Sequence, residues 1–317
     1  MASVSGQGTT YNLPNYTGEL FQVSPTDTPF LSMIGGLGGY LISTSTEFEW
    51  ETADIRTTSA GNAQVEGADA PTANSQSRAN VSNVTEIHQS QVNVSYSKQA
   101  ARGLKSGTNN DLANPVQSEL GYQIDQELLA IAVDVEKSFI SGVYAKPANN
   151  ATARKTRGIL SAISTNVSAN GGTPRALTKA IVDAHLSNMF TNGSPLRQDS
   201  TVFMVGAGQK VTLSNLYATA TLNAPTQSRN VGGFALDTII TDFGTVGVTL
   251  NRWMPAGQIA VVDVSVCRPV FLEVPGKGTL FIEELAKTGA SEKYQIYGEV
   301  GLKYGPEVYH GLIKDLT

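Results

Sequence analysis

No lysine occurs in the first 97 residues of this 317-residue chain, and only two arginines, Arg56 and Arg78, stand there against nine acidic side chains. That segment has a formal charge of −7, while the other 220 residues, with 20 basic and 18 acidic groups, come to +2. Charge is scarce throughout: 15% of residues are Asp, Glu, Lys or Arg, against roughly 25% in ordinary soluble domains. Gly, Ser, Thr, Asn and Ala fill the difference, and such a surface suits burial against partners. A net charge of −5 excludes a general polyanion binder, so any contact with nucleic acid is local. The single cysteine, Cys267, excludes a disulfide framework. Its apolar setting, VVDVSVC, reads as a buried thiol in a reducing compartment. No run of about 18 apolar residues is present, and MASVSGQGTT has neither the basic nor the apolar region of a secretory leader. We therefore expect a chain that is neither exported by that route nor membrane-spanning, and the Asn-x-Ser/Thr triplets at Asn80, Asn83 and Asn93 follow from composition.

Catalytic signatures are missing as well. His88, His185 and His310 are isolated, and no H-x-x-x-H, C-x-x-C, D-x-D-x-D or G-x-S-x-G pattern appears. His185 reads as a satisfied structural residue on a short helix. MVGAGQKVTL, 204–213, lacks the spacing of a phosphate loop, so Gly206 and Gly208 read as a tight strand-to-helix turn. Glu283 and Glu284, adjacent on a strand, point to opposite faces. No enzyme, cofactor or metal is expected.

With 40% hydrophobic residues the chain can build one large domain or two ordinary ones. Residues 11–42 read as an extended strap, with Pro25 and Pro29 bracketing SPTDTPFLSMIGG; Asp27 caps a short helix after Pro29, and Phe30, Leu31 and Ile34 pin the strap to the body. TEFEWE, 46–51, is a half-buried strand with Phe48 and Trp50 on one face and Glu47, Glu49 and Glu51 on the other. Its return limb spans 81–97. There Val92, Val94 and Tyr96 share a face, Thr85 and Ile87 have the opposite parity, and a bulge near Gln89–Gln91 reconciles them. Turn residues Gly61, Asn62, Gly67, Pro71 and Asn74 lie between. The whole of 45–97 thus reads as a long two-stranded excursion with a loose tip, marginal by itself in water.

Residues 114–143 predict a spine helix roughly 40 Å long. Asn114 is its N-cap, Pro115 its first residue, and Val116, Leu120, Ile124, Leu128, Ile131, Val135, Phe139 and Val143 form one apolar stripe. Seven basic and no acidic residues follow between Lys137 and Lys179, either a solvated loop or a docking surface for an acidic arm or phosphate. A helix at 178–191, a strand at 201–205, a helix around 208–219 and β runs at 234–250, 258–266, 269–274 and 279–284 make a mixed α/β lobe. Alternation through 293–304 and a run at Val308–Ile313 predict a long antiparallel pair turned at Gly305 and Pro306. No internal repeat or heptad pattern appears.

This order of parts resembles the major capsid proteins of tailed bacteriophages, the Hong Kong phage-type α+β coat fold. Three segments carry the resemblance: SPTDTPFLSMIGG at 24–36, which is similar to a motif of one subgroup, VFMVGAGQKVTLSNL at 202–216 and EVPGKGTLFIEEL at 273–285. The resemblance implies an N-terminal arm (1–42), an extended E-loop (43–98), a peripheral domain with the spine helix (99–160), an axial domain (161–269) and return strands of the peripheral domain (270–317). It implies self-assembly into hexamers and pentamers of an icosahedral shell around double-stranded DNA, in the virion capsid and assembled in host cytoplasm. Separate scaffolding, portal and decoration proteins are the other expected partners, and no membrane is involved. In this fold the E-loop lies over the neighbouring subunit. Some members link an E-loop lysine to a neighbour's asparagine, and with no lysine before Lys98 we expect a shell without such cross-links. Others begin with a cleaved scaffolding segment; with about 42 residues before the arm, a separate scaffolding protein, or none, is expected here. An encapsulin-like compartment shares the fold, and a polar β-rich fibre or an enzyme with a spatially assembled site are the readings from other classes.

Charge supplies the expected contacts. Glu47, Glu49, Glu51, Asp54, Glu66 and Asp69 dock on a neighbour's basic residues, Arg154, Lys155 and Arg157 among them, and Phe48 and Trp50 supply apolar anchorage. Exposed pairs contribute little net stability, so their main effect is on register and encounter.

Overall fold

The computed structural model describes residues 20–56, 58, 60–73, 75–101, 116, 118–220, 228–231 and 234–317. Two compact units emerge. In its described residues the first draws on 20–27, Gln89–Val133 and Leu280–Tyr297; the second comprises Thr28–His88, Asp134–Thr279 and Gly298–Thr317.

In chain order the elements are α1 (Pro29–Met33), β1 (Leu41–Ser43), β2 (Glu47–Ala53), β3 (Arg78–Val84), β4 (Glu86–Ser95), α2 (Tyr96–Ala100) and α3 (Glu119–Ser141). Then come α4 (Ile159–Ala162), β5 (Val167–Ser168), α5 (Lys179–Thr191), β6 (Thr201–Val205), α6 (Ala207–Ala220), β7 (Ser228–Val231), β8 (Phe234–Thr241) and β9 (Gly244–Leu250). The chain closes with β10 (Ile259–Asp263), β11 (Arg268–Leu272), β12 (Leu280–Glu284), β13 (Ser291–Lys303), a short 3-10 turn at Glu307–Tyr309 and β14 (Gly311–Ile313).

The second unit contains a mixed seven-stranded sheet in the order β5-β14-β10-β6-β9-β8-β7. Every residue of β6 and of β10 is buried, which explains why TVFMV and IAVVD read as continuous apolar runs without alternation: both faces are covered. On one face α5 and α6 supply Val182, Leu186, Met189 and Leu213, which pack with Phe203, Val205, Ile259 and Val261. Side chains of the other parity, Val202, Met204, Ala260 and Val262, are equally inaccessible. Thr178 caps α5, its Oγ1 accepting from the Ile181 amide at 3.4 Å. Cys267 is fully buried, and burial pushes its thiol pKa up, as its apolar setting predicts. Also in this unit, β1 runs parallel to β11 and β11 antiparallel to the end of β13.

The first unit holds the pairing of β12 and of β4 with β13. Val92, Val94 and Ile296 are buried there. The Ser90 hydroxyl bonds to Glu127 at 2.5 Å, and the Gln99 amide donates to Glu292 at 3.0 Å.

The spine helix is observed as Glu119–Ser141; Asn114 and Pro115, its expected start, lie outside the described residues. Ile131, Val135 and Phe139 are buried as the stripe requires, but Val143 is 70% exposed. The helix stops before it because Gly142 lies against another backbone segment: a Cβ there would collide with the carbonyl oxygens of Ser138 and Thr156.

Two expected pairings are corrected. The two-stranded excursion does not extend to residue 97, because pairing of β2 with β3 ends at Val84 and β4 joins β13 instead. The parity change falls at buried Thr85, between the strands; burial then alternates without a break from Glu86 to Ser95, so no bulge forms at Gln89–Gln91. Tyr96 begins α2 and is 42% exposed. Likewise, the run after Gly305 and Pro306 does not fold back on β13: β14 pairs antiparallel with β10 and parallel with β5. Side chains redirect it. The Glu307 carboxylate accepts from the amides of Ser164 and Thr165 at 3.0 and 3.1 Å, and the Asn166 side-chain amide donates to the carbonyls of Val308 and His310. The fully buried His310 completes the turn, its Nε2 meeting the Tyr304 carbonyl at 2.6 Å and its Nδ1 accepting from the Asp263 amide at 3.3 Å. Burial holds its pKa below the usual value, against the pull of the Tyr304 carbonyl and of Asp263 and Glu307.

Candidate functional site: the hairpin arm and its root

The β2–β3 hairpin is the isolated two-stranded sheet that the alternation of TEFEWE predicts, in register from Glu47 opposite Val84 to Ala53 opposite Arg78. Trp50 is its anchor. At 9% exposure it donates its indole N–H to the Gly305 carbonyl at 3.0 Å and stands edge-on to Tyr304 with ring centroids 4.8 Å apart. Phe48, half-buried, stacks 6.2 Å from Trp50. Its ring occupies the space over Gly301, where any Cβ would collide with it.

A polar network secures the same root. Asn83 is fully buried in β3; its Nδ2 donates to the carbonyls of Leu302 at 2.7 Å and Arg157 at 3.2 Å, and its Oδ1 accepts from the amides of Val84 and Arg157 at 2.9 and 2.8 Å. The Thr85 hydroxyl meets Glu299 at 3.1 Å, and Arg154 closes a 2.8 Å ion pair on the same carboxylate oxygen of Glu299. Glu86 accepts from the Thr156 amide at 3.2 Å. Burying such groups is tolerable only because each has a partner.

The expected contact residues are therefore divided. Arg154 serves the root within its own chain, and Arg157 stacks on Tyr144 at 4.6 Å and donates to the Tyr304 hydroxyl at 3.3 Å. Lys155 is exposed, and its backbone pairs with Ala145. Lys146 bonds to Glu47 at 2.5 Å, which lowers the Glu47 pKa and raises that of Lys146. Farther out, Glu51 pairs with Arg78 at 2.8 Å and Glu49 accepts from Asn80 at 3.2 Å. Asp54, Glu66 and Asp69 lie in the tip, where every described residue from Ala53 to Asn80 is exposed, including Ile55 at 82% and Val65 at 79%.

A cleft of about 650 Å³ opens beside the root, lined by Glu86, Ile87, Pro147, Asn149 and Arg154 among others. Its two charged side chains are those already bonded to Thr156 and Glu299. The four residues that sequence reading missed, Asn83, Thr85, Glu86 and Glu299, are polar side chains on strands or, for Thr85, between two of them, where pattern alone assigns them to solvent. No group of three or more His, Cys, Asp or Glu side chains suited to a metal ion occurs among the described residues, and no described helix is long and apolar enough to cross a membrane.

A two-stranded arm pinned at its root, a long helix and a mixed-sheet lobe agree with what comparison with known proteins finds. The family model described as the SU10 major capsid protein matches residues 3–317. The chain belongs to that family. It is a major capsid protein of a tailed phage, and its family is one of structural shell proteins. The major capsid protein of Escherichia phage Phieco32 is 25% identical over 333 residues, covering 89% of this chain and 88% of the relative. Among solved structures, the capsid of cyanophage A-1(L) superposes with a TM-score of 0.70 at 13% identity, covering 99% of this chain and 100% of that one. The SrpI encapsulin of Synechococcus elongatus PCC 7942 superposes less well, at 0.54 with 10% identity over 87% of this chain and 85% of that one. At these identities the structures establish the α+β coat fold, and the encapsulin reading is the weaker match.

Proposed function

We propose that this capsid protein assembles into hexamers and pentamers of an icosahedral shell enclosing double-stranded DNA, with each hairpin tip lying on a neighbouring copy and no lysine-mediated cross-link closing the arm. The observation that carries this reading is the contrast within the hairpin: the root has its partners in its own chain, whereas the tip is exposed and still presents Ile55 and Val65. Two large apolar side chains left exposed on one arm, beyond a root that has its partners, support use of that arm in association. Asp54, Glu66 and Asp69 supply its charge, and Lys155 is the exposed member of the expected basic set; Glu47, Glu49 and Glu51 steady the hairpin. With a net charge of −5, contact with DNA is non-specific and confined to local basic surface. Scaffolding, portal and decoration proteins, and assembly in host cytoplasm, belong to the same reading.

Denaturing electrophoresis of mature particles tests the closure: single chains are expected, and a ladder of chain multimers overturns it. Electron microscopy of the assembled particles tests the shell, which must show the tip within contact distance of another copy.

A further inference from the structure

Glu136 lies in the last two turns of α3 and is fully buried. One carboxylate oxygen accepts from the Phe30 amide at 3.0 Å and the Asn251 side-chain amide at 2.7 Å; the other accepts from the Leu31 amide at 2.6 Å. Phe30 and Leu31 are the second and third residues of α1, whose opening amides have no carbonyl within the helix to bond to. Pro29 has no N–H, and the Ser32 amide donates to the Thr28 carbonyl at 3.0 Å. The first turn is thus satisfied in full, and two of its amides depend on one carboxylate brought from 106 and 105 positions away. Thr28 makes no side-chain cap, and the capping of these two amides comes from the spine helix. Asn251 is itself fixed, its amide donating to the Val205 carbonyl at 2.8 Å and its Oδ1 accepting from the Trp253 amide at 2.9 Å.

The anchored segment is core: Phe30, Leu31, Met33 and Ile34 are each at most 5% exposed. The described arm residues before it are the opposite, with Leu20, Phe21 and Val23 at 54, 75 and 94%. An apolar arm therefore departs from a root held by a single buried carboxylate. A fully satisfied buried polar node of this kind can specify one arrangement among several.

We propose that Glu136 is a positioning residue for assembly: it fixes the root of the N-terminal arm so that every copy sends its arm out from the same place. The proposal rests on the shell reading above. Glu136→Gln tests it, because a carboxamide has the same shape but turns an N–H toward one of the two backbone amides. In unassembled protomers, amide hydrogen exchange at Phe30 and Leu31 is expected to quicken about tenfold while the seven-stranded sheet stays protected, and the variant's shells are expected to be open or mixed in size. Ile34→Val, which trims the same buried segment and spares the carboxylate, is expected to form uniform shells. Should Glu136→Gln not fold, Glu136→Asp, one methylene too short to hold both amides, is read in the same two ways. Unchanged exchange in a folded variant, uniform shells from it, or equally irregular shells from Ile34→Val overturns the proposal. Absence of closed shells from the unaltered chain even when its scaffolding protein is supplied instead counts against the shell reading, and the exchange measurement on protomers still decides the anchor.

Discussion

In the seven-stranded sheet, all ten residues of β6 and β10 are buried; in the hairpin, β2 buries Trp50 alone of its seven. The lobe draws its stability from a continuous apolar core within one chain. The hairpin is held by one aromatic anchor and a set of hydrogen bonds at its root, beyond which the described residues face outward. Burial of apolar area is the dominant favourable term in folding, so the two regions answer differently to substitution: the lobe governs whether the protomer folds, and the tip is free to act on other copies.

The most damaging substitution is expected in the lobe. Phe203→Ala, at a fully buried position of β6, should cost about 3–5 kcal/mol in denaturant unfolding of the protomer, whereas Val65→Ala at the tip should leave the midpoint unmoved. Equal effects would erase the distinction. Acid sharpens it next. Burial, with Arg175 nearby, lowers the His185 pKa from 6.5 to about 4, so below pH 6.5 the unfolded chain takes up a proton that the folded lobe refuses. Stability is therefore complete above that pH and is lost as pH falls toward 4, by about 3 kcal/mol over the window at 1.36 kcal/mol per unit. Unfolding curves at pH 7 and 5 should diverge for the natural chain and diverge less for His185→Leu, the remainder belonging to the other buried histidines, His310 among them.

Much of this division was legible in the sequence. Unbroken apolar runs marked β6 and β10, three-and-four spacing marked α3 and α5, and alternation placed Phe48 and Trp50 on the inner face of the hairpin. What was not legible has a common physical cause: the deciding partner is remote in sequence. Asn83 sits in an Asn/Ser-rich strand and differs from its neighbours only through carbonyls at 157 and 302. Glu136 stands beside an unbroken apolar stripe that reads equally well with Glu136 facing solvent. His185 was expected to have its polar atoms satisfied, yet on α5 its ring is buried against Gly311 of β14 with Nε2 lacking a hydrogen-bond partner. The destination of β14 was missed because a strand's pattern reports its faces and leaves its neighbours open.

At the root, intermediate effects are expected. Arg154→Met removes the cation from Glu299, whose side chain is 9% exposed while that of Arg154 is 29%. Taking the ion pair away from that nearly buried carboxylate should cost about 1–3 kcal/mol. Arg154→Met with Glu299→Gln should recover part of the loss, because the uncompensated charge is gone. A double-mutant cycle on protomer unfolding measures the coupling; strict additivity would mean that the pair does not hold the root.

The smallest effect on folding, and the one that speaks most directly to assembly, belongs to the tip. Replacing Asp54, Glu66 and Asp69 together by Lys changes the formal charge of the chain from −5 by +6 while touching no buried side chain. Thermal unfolding of the protomer should therefore stay where it is. If these acids steer one copy's tip toward basic surface on another, the reversed arm should assemble more slowly at low ionic strength, and added salt should narrow the difference by screening the new repulsion. An assembly rate and salt dependence matching those of the natural chain would confine these charges to solvation, leaving Ile55 and Val65 to carry the tip's contact. Replacing those two by Ser would then separate apolar anchorage from electrostatic steering: an apolar contact weakens with the substitution at every salt concentration, whereas a steered encounter is sensitive mainly when salt is low.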